Sequence, residues 1–88
     1  MVVNFSTELI TVLFPYISEL RKQGKRVFVY PSAAKLKKQL GLANQLQIPH
    51  ALIMGESEWK AQSCTLKDLR TGEQSTIPLD GLMQYSWD

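Results

Sequence analysis

Residues 35–78 read KLKKQLGLANQLQIPHALIMGESEWKAQSCTLKDLRTGEQSTIP, and this stretch decides the fold. It begins with a helical pattern that carries three lysines and ends before a proline. Residues 51–54 follow, and all four are apolar, which is typical of a strand covered on both faces. Two more strands are predicted at residues 64–69 and 74–77, because Gly72 between them supplies the positive φ angle of a hairpin turn.

Two strands and a helix are predicted in the first third of the chain. Residues 2–5 and 27–30 are short runs rich in β-forming side chains. Between them, Ser6 or Thr7 can cap a helix. Its apolar residues recur at helical spacing, namely Leu9, Leu13, Ile17 and Leu20. Pro15 interrupts this pattern and removes one hydrogen bond, so we expect a kink there or a helix that begins only near Pro15.

Two more helices are predicted further along the chain. The second covers residues 33–46 with Ser32 as its N-cap, and its apolar stripe is Leu36, Leu40 and Ala43. Its solvated surface is formed by lysine and glutamine, namely Lys35, Lys37, Lys38, Gln39 and Gln45. The last helix begins near Pro78 and carries Leu82, Met83 and Trp87.

These elements predict an α/β fold in the order β-α-β-α-β-β-β-α. Right-handed crossovers make the first three strands parallel, and the hairpin completes a mixed five-stranded sheet with three helices. Residues 1–88 are expected to form a single domain. If the first strand lies between the second and the third, a crevice opens at their carboxyl ends. Residues 4–7 then line one side of this crevice and residues 55–60 the other.

Charge and cysteine content narrow the classes of function. Ten basic and eight acidic residues give a net charge of +2, which permits a nucleic-acid partner without requiring one. Cys64 is the single cysteine, so no internal disulfide forms and a reducing, cytoplasmic setting is expected. No apolar run approaches the ~20 residues of a membrane span, so no membrane partner is expected.

The reactive side chains argue against an enzyme. His50 is the only histidine and begins an apolar strand, so we interpret it as structural or edge-facing. Cys64 is interpreted as a small core residue. These two residues alone cannot form a zinc site, which needs three or four ligands, and the glycines are too isolated for a phosphate loop. No catalytic residue, cofactor or metal is therefore expected.

Several side chains have chemistry suited to nucleic acid, each with a structural alternative. The carboxylates of Glu56 and Glu58 can accept hydrogen bonds from base amino or imino groups, or simply form a solvated loop. Trp59 can stack on an unpaired base or cover the core. Near a helix N-terminus, lysines can hold phosphate or form a solvated face, and they are Lys35, Lys37 and Lys38.

Five segments carry a family resemblance: RVFV at 26–29, KLKKQL at 35–40, IPHALIMGESE at 48–58, TLKDLRTGEQ at 65–74 and IPLDGL at 77–82. In this order and spacing they resemble the C-terminal anticodon-binding domain of class IIa aminoacyl-tRNA synthetases. The histidyl-tRNA synthetase branch is the most similar. The resemblance covers residues 20–82 well and residues 1–19 loosely.

The resemblance implies that the crevice binds the anticodon loop of a tRNA, with histidine tRNA as the expected partner. It implies that Glu58 and Lys67 contact anticodon bases. It also implies that Ser32, Ala33 and Lys35 approach the loop. Lys38 and Glu56 are added because of their chemistry alone. The full set of expected RNA-binding residues is then Ser32, Ala33, Lys35, Lys38, Glu56, Glu58 and Lys67.

The resemblance covers no catalytic domain, so this chain alone is not expected to be catalytic. Its parent would be an ATP-dependent histidine–tRNA ligase, from which we expect the chain to be an excised piece, with a free-standing relative as the alternative. The remainder of the synthetase or a homodimer partner is then a further expected partner. A different class of function is a protein-interaction, dimerisation or regulatory module that has lost tRNA recognition. Ala33-Ala34, where the family often has Gly-Arg, and Trp59 favour this alternative.

Overall fold

The computed structural model describes residues 1–85. Its elements follow in the order α1 (Thr7–Lys22), α2 (Leu36–Gln45), β1 (His50–Ile53), α3 (Glu56–Lys60), β2 (Ser63–Asp68), β3 (Gln74–Pro78) and a 3-10 helix (Leu79–Gln84). In this described part of the chain, no helix has the length and apolar character needed to cross a membrane.

The predicted five-stranded sheet is wrong. The described residues form a three-stranded antiparallel sheet in the order β1-β2-β3, with three α-helices and one 3-10 helix. The runs at residues 2–5 and 27–30 form no strand. Val2 makes only isolated parallel bridges, to Val29 and to Leu52. The α/β character of the predicted fold agrees with the structure.

The side chain of Gln39 ends the parallel pairing between residues 2–5 and residues 27–30 after one residue. Val2 still uses its backbone groups, donating to the Phe28 carbonyl at 2.7 Å and accepting from the Tyr30 N–H at 3.2 Å. At Asn4 the hydrogen-bond partner is the Gln39 amide instead of a strand. Its Oε1 accepts from the Asn4 N–H at 2.7 Å and its Nε2 donates to the Asn4 carbonyl at 2.7 Å. These are the two backbone groups that a neighbouring strand would have used.

The Tyr30 carbonyl is also unavailable for pairing between strands. It accepts a hydrogen bond from Asn4 Nδ2 at 3.0 Å instead of from a backbone N–H. Pro31 follows directly and has no N–H to donate. Two short segments therefore lie side by side without becoming strands, and their polar groups are bonded by side chains.

Helices cover both faces of the sheet. One face packs against α1 and the 3-10 helix, through Ile10, Leu13, Ile17, Leu20, Leu52, Cys64, Leu66, Leu79 and Leu82. On the other face Val3, Ala51 and Ile53 pack with Leu36 and Leu40 of α2. Residues 51–54 are at most 9% exposed, which confirms that this apolar run is covered on both faces.

Helix α1 continues through its proline. Ser6 is the N-cap, as predicted, and its Oγ accepts from the Leu9 N–H at 3.2 Å. The alternative that the helix begins near Pro15 is wrong. Pro15 cannot donate to the carbonyl of Thr11, but both residues are exposed, so water can bind that carbonyl.

Helix α2 is shorter than predicted, and its buried residues are Gln39 and Ala43, of which only Ala43 belongs to the predicted stripe. It begins at Leu36 with Lys35 as N-cap, so Ser32 is not its cap. The assignment of Gln39 to the solvated surface is wrong, because its side chain is fully buried. Leu36 and Leu40 are only partly buried, since they pack at the rim of the sheet.

Two further differences concern the ends of β1 and of the chain. The expected loop after β1 contains helix α3, whose five residues are too few to show a periodic apolar pattern. The predicted last helix is a 3-10 helix in which Leu82 is buried. The predicted contribution of Trp87 lies outside the described residues.

The hairpin between β2 and β3 agrees with its prediction. Gly72 has a φ angle of +83° and donates from its N–H to the Asp68 carbonyl at 2.8 Å. The Asp68 N–H in turn donates to the Glu73 carbonyl at 2.8 Å. The left-handed backbone at Gly72 lets the chain reverse between the two strands.

Replacing Gln39 with leucine is expected to lower the free energy of unfolding by about 2–4 kcal/mol, because buried backbone groups lose their hydrogen-bond partners. Urea unfolding followed by circular dichroism measures the change. Gln45→Leu on the exposed end of the same helix is the control and should change stability by less than ~0.5 kcal/mol. Equal effects of the two substitutions would contradict the role given to Gln39.

Candidate nucleic-acid interface

A cleft of about 480 Å³ lies between the start of α1 and helix α3. Its lining residues are Phe5, Ser6, Glu8, Leu9, Val12, Gly55, Glu56 and Trp59. The sequence predicted a crevice between residues 4–7 and residues 55–60, and the cleft lies at this position. The start of α1 and the loop after β1 come together here because Val3 and Leu52 are neighbours, with the Val3 N–H donating to the Leu52 carbonyl at 2.9 Å.

Glu58 lies beside the cleft with its carboxylate over Gly55. A Cβ atom built on Gly55 would lie 3.6 Å from Glu58 Oε2 and 3.8 Å from Cδ2 of the Phe5 ring. The carboxylate and the ring therefore both border the space beside this glycine. Among the described residues, no hydrogen bond or ion pair engages the Glu58 carboxylate. Its oxygens remain able to accept hydrogen bonds from a ligand.

Glu56 lines the cleft directly and is exposed. Its Oε1 lies 3.8 Å from Lys60 Nζ, one helical turn further along α3. Exposed pairs of this spacing contribute only about 0.3–0.5 kcal/mol. The ion pair is therefore too weak to prevent the Glu56 carboxylate from contacting a ligand.

The sequence left open whether Trp59 covers the core or is available to a ligand. It packs against the main apolar core and also lines the cleft, so it both covers the core and faces the opening. Its backbone is fixed, because its N–H donates to the Gly55 carbonyl at 3.0 Å. Its carbonyl accepts from the Gln62 backbone at 3.0 Å and from Gln62 Nε2 at 2.9 Å.

Residues 32–38, which we call the lysine segment, form an exposed strip before and within the first turn of α2. Ser32 and Ala33 are exposed, as are the side chains of Lys35, Lys37 and Lys38. No ion pair is formed by these three lysines within residues 1–85. The strip therefore presents uncompensated positive charge to solvent, which suits contact with phosphate groups.

Gln39 holds the lysine segment next to the cleft. In addition to its bonds with Asn4, its Nε2 donates to the Ala34 carbonyl at 2.8 Å. We call this set of three hydrogen bonds the Gln39 clamp. Because Asn4 precedes Phe5 of the cleft wall, the clamp joins the positive strip to the wall of the cleft. The role of Gln39 was not predicted, because its only signal in the sequence is a polar residue among the apolar positions of α2.

Lys67 lies in the central strand of the sheet, on the same face as α2. It pairs with Ala51 in β1 and with Gln74 in β3. Directly paired residues share a face of the sheet, and Ala51 packs with the α2 residues Leu36 and Leu40. Lys67 is therefore on the side of the sheet that carries the lysine segment, and it is half-buried.

Arg70 in the adjacent turn is engaged by a neighbouring carboxylate. Its Nη2 lies 3.0 Å from Asp68 Oδ2 and its Nε donates to Asp68 Oδ1 at 3.2 Å. These hydrogen bonds from the guanidinium lower the pKa of the Asp68 carboxyl to about 2. The positive charge of Arg70 is thus largely compensated within the turn.

The cysteine and the histidine do not line the cleft. Cys64 is fully buried, which confirms its interpretation as a core residue, and this burial raises the pKa of its thiol to about 11. His50 begins β1. Within residues 1–85, no group of three or more His, Cys, Asp or Glu side chains is arranged to hold a metal ion.

A second cavity, of about 270 Å³, is lined by Met1, Val2, Leu20, Lys25, Arg26, Val27, Ile48, Pro49, His50 and Leu52.

Comparison with known proteins identifies the family. Residues 1–86 match the family model described as the anticodon binding domain. The chain is 46% identical over 78 residues to a histidine–tRNA ligase of Porphyromonas gingivalis and 42% identical over 81 residues to one of Phocaeicola vulgatus. These alignments cover 89% and 92% of this chain but 17% and 18% of those enzymes.

A solved structure agrees with these matches. The crystal structure of histidyl-tRNA synthetase from Nostoc sp. PCC 7120 matches this chain with a TM-score of 0.83 at 32% identity. The match covers 94% of this chain and 19% of that one. The chain belongs to the anticodon-binding domain family. The predicted resemblance to the anticodon-binding domain of histidyl-tRNA synthetase is confirmed, and the chain spans less than a fifth of the length of these relatives.

The burial of Cys64 predicts a pH-dependent loss of stability. The thiol ionises near pH 8.5 when the chain is unfolded and near pH 11 when it is folded, so the unfolded state releases its proton first. Stability should therefore fall as the pH rises from about 8.5 to 11, and Cys64→Ala should remove this part of the decline. Urea unfolding between pH 7 and pH 10.5 measures it. Parallel curves for the two proteins would contradict the prediction.

Proposed function

We propose that this chain is the tRNA-recognising module of a histidine–tRNA ligase and that it binds the anticodon loop of histidine tRNA. Its family supports this function. The observation that carries the proposal is the adjacency of two unlike surfaces. A cleft flanked by carboxylates lies next to an exposed lysine segment, and the Gln39 clamp connects them.

The two surfaces suit different parts of a single-stranded loop. Splayed bases carry hydrogen-bond donors on their edges, and the carboxylates of Glu56 and Glu58 accept such bonds. Phosphates carry negative charge, which Lys35 and Lys38 neutralise, while Ser32 and Ala33 leave the backbone of this strip accessible. Lys67, on the same face of the sheet as the strip, contacts a base or phosphate at the edge of the loop.

The remainder of the function belongs to segments beyond this chain. Since the chain spans less than a fifth of the matched enzymes, ATP-dependent charging of the tRNA is assigned to the rest of a synthetase. Residues 1–88 act as one domain that adds anticodon recognition to that reaction. The proposed setting is the cytoplasm.

The alternative function is a protein-interaction module. It is supported by three large apolar side chains that are exposed, namely Phe14, Phe28 and Leu46. Such residues are individually ordinary on protein surfaces, and they lie on separate segments of the chain. A stable dimer of this chain without affinity for tRNA would favour this alternative over anticodon binding.

Base recognition is tested by Glu58→Gln, which keeps the shape of the side chain and removes the charge. We expect about tenfold weaker binding of a histidine-tRNA anticodon stem-loop and little change for a stem-loop with all three anticodon bases replaced. Fluorescence anisotropy at low and moderate salt measures both affinities. Glu19→Gln, an exposed residue of α1, is the matched control. If Glu58→Gln weakens both stem-loops equally, Glu58 does not read a base.

Phosphate contact is tested by replacing Lys35 and Lys38 together with alanine. Binding of both stem-loops should weaken alike, because phosphates carry no sequence information. Losing two phosphate contacts should reduce the slope of log K against log salt by about 1.4. Lys22→Ala with Lys25→Ala, near the end of α1, provides a control of equal charge. A salt slope that stays at the wild-type value would overturn the phosphate role of the lysine segment.

A further inference from the structure

The cleft has an unusual combination of side chains for a site that faces nucleic acid. Its lining residues include the aromatic rings of Phe5 and Trp59 and the carboxylates of Glu8 and Glu56, with no lysine or arginine among them. The carboxylate of Glu58 adds negative charge at the same opening, above Gly55. The lining is therefore aromatic and acidic.

This lining discriminates between the parts of a nucleotide. A phosphate in the cleft would meet the carboxylates of its lining, and Lys60, whose Nζ lies 3.8 Å from Glu56 Oε1, offsets only part of this negative charge. The entry of a phosphate is therefore electrostatically unfavourable. A neutral base is different, because it offers a flat face to an aromatic ring and hydrogen-bond donors to a carboxylate. The chemistry of the cleft thus selects the base and leaves the phosphates outside, towards the lysine segment.

We propose that Trp59 is an RNA-contacting residue that stacks on one unpaired base of the anticodon loop, with Phe5 on the opposing wall. The stack holds the base so that its amino or imino edge faces the carboxylates of Glu56 and Glu58. This inference rests on the proposed tRNA-binding function and assigns to it a residue outside the set expected from the sequence resemblance.

Trp59 is already held in place before a base binds. One side of the residue packs against the core, and its backbone N–H and carbonyl are both hydrogen-bonded within residues 55–62. The packing of the ring against the core limits the freedom that it loses when a base binds, which lowers the cost of ordering it. The Phe5 side chain is partly buried and packs against Val3, Ala51 and Ile53.

Substitution of Trp59 tests the proposal with this 88-residue chain and the histidine-tRNA anticodon stem-loop. Trp59→Leu retains apolar bulk against the core but removes the aromatic face, so affinity should fall by about tenfold or more. The salt slope should not change, because no phosphate contact is lost. Trp59→Phe should retain affinity within about threefold, since its ring still stacks. Phe14→Leu, an exposed aromatic residue of α1 outside the cleft, is the control and should bind as the wild type does.

A spectroscopic measurement avoids any substitution in the cleft. The chain has two tryptophans, so Trp87→Phe leaves Trp59 as the only indole fluorophore. Stacking of a base on Trp59 should quench this fluorescence in proportion to the bound stem-loop. This readout decides the matter even if Trp59→Leu does not fold, and a purely structural role for Trp59 predicts no quenching.

The outcomes separate this inference from the function on which it rests. If the wild type prefers the histidine stem-loop while Trp59→Leu binds equally well and the Trp59 fluorescence is unchanged, the stacking role is overturned and anticodon binding stands. If the wild type binds neither stem-loop, the proposed function fails, and the stacking role fails with it. Loss of affinity on Trp59→Leu with quenching in the Trp87→Phe protein supports both.

Discussion

The Gln39 amide replaces a strand at the centre of this fold. It bonds the two backbone groups of Asn4 that face away from β1, and it also bonds the Ala34 carbonyl, so three separate segments meet at one buried side chain. An unpaired buried backbone group costs about 1–3 kcal/mol, which explains why a fully buried glutamine is retained in a helix that otherwise needs apolar residues there. The Asn4 side chain is only partly satisfied, because among the described residues its Oδ1 is buried without a hydrogen-bond partner.

The same amide determines where the cleft and the lysine segment lie. By ending the pairing at Asn4, it lets the chain turn away into α1 at the point where Phe5 and Ser6 form one wall of the cleft. By bonding Ala34, it fixes the loop that carries the lysine segment beside that wall. A continuous parallel sheet would have kept residues 4–5 within the sheet. The geometry of the candidate interface is thus a consequence of where the sheet stops.

Apolar patterns predicted the parts of this structure that apolar packing determines. The spacing of Leu13, Ile17 and Leu20 predicted α1, and the unbroken run at residues 51–54 predicted a strand with both faces covered. Helix α3 and the role of Gln39 could not be predicted in this way, because a five-residue helix has no period and a buried amide resembles a solvated one in sequence. The family resemblance pointed to Glu58, but only the structure shows that its carboxylate and the Phe5 ring both border the space beside Gly55.

The modest net charge of +2 is better understood once the charges are placed. The lysine segment carries Lys35, Lys37 and Lys38, and the cleft is surrounded by Glu8, Glu56 and Glu58. These opposite charges cancel in the total while remaining separate in space. A uniformly basic surface would attract any nucleic acid, since non-specific affinity comes almost entirely from phosphate neutralisation. Placing carboxylates where bases are expected makes an incorrectly docked phosphate unfavourable while a donor-bearing base is accepted. Specificity can then come from repulsion of a misplaced phosphate as much as from attraction of the correct base. A mildly basic domain can therefore still discriminate between loops.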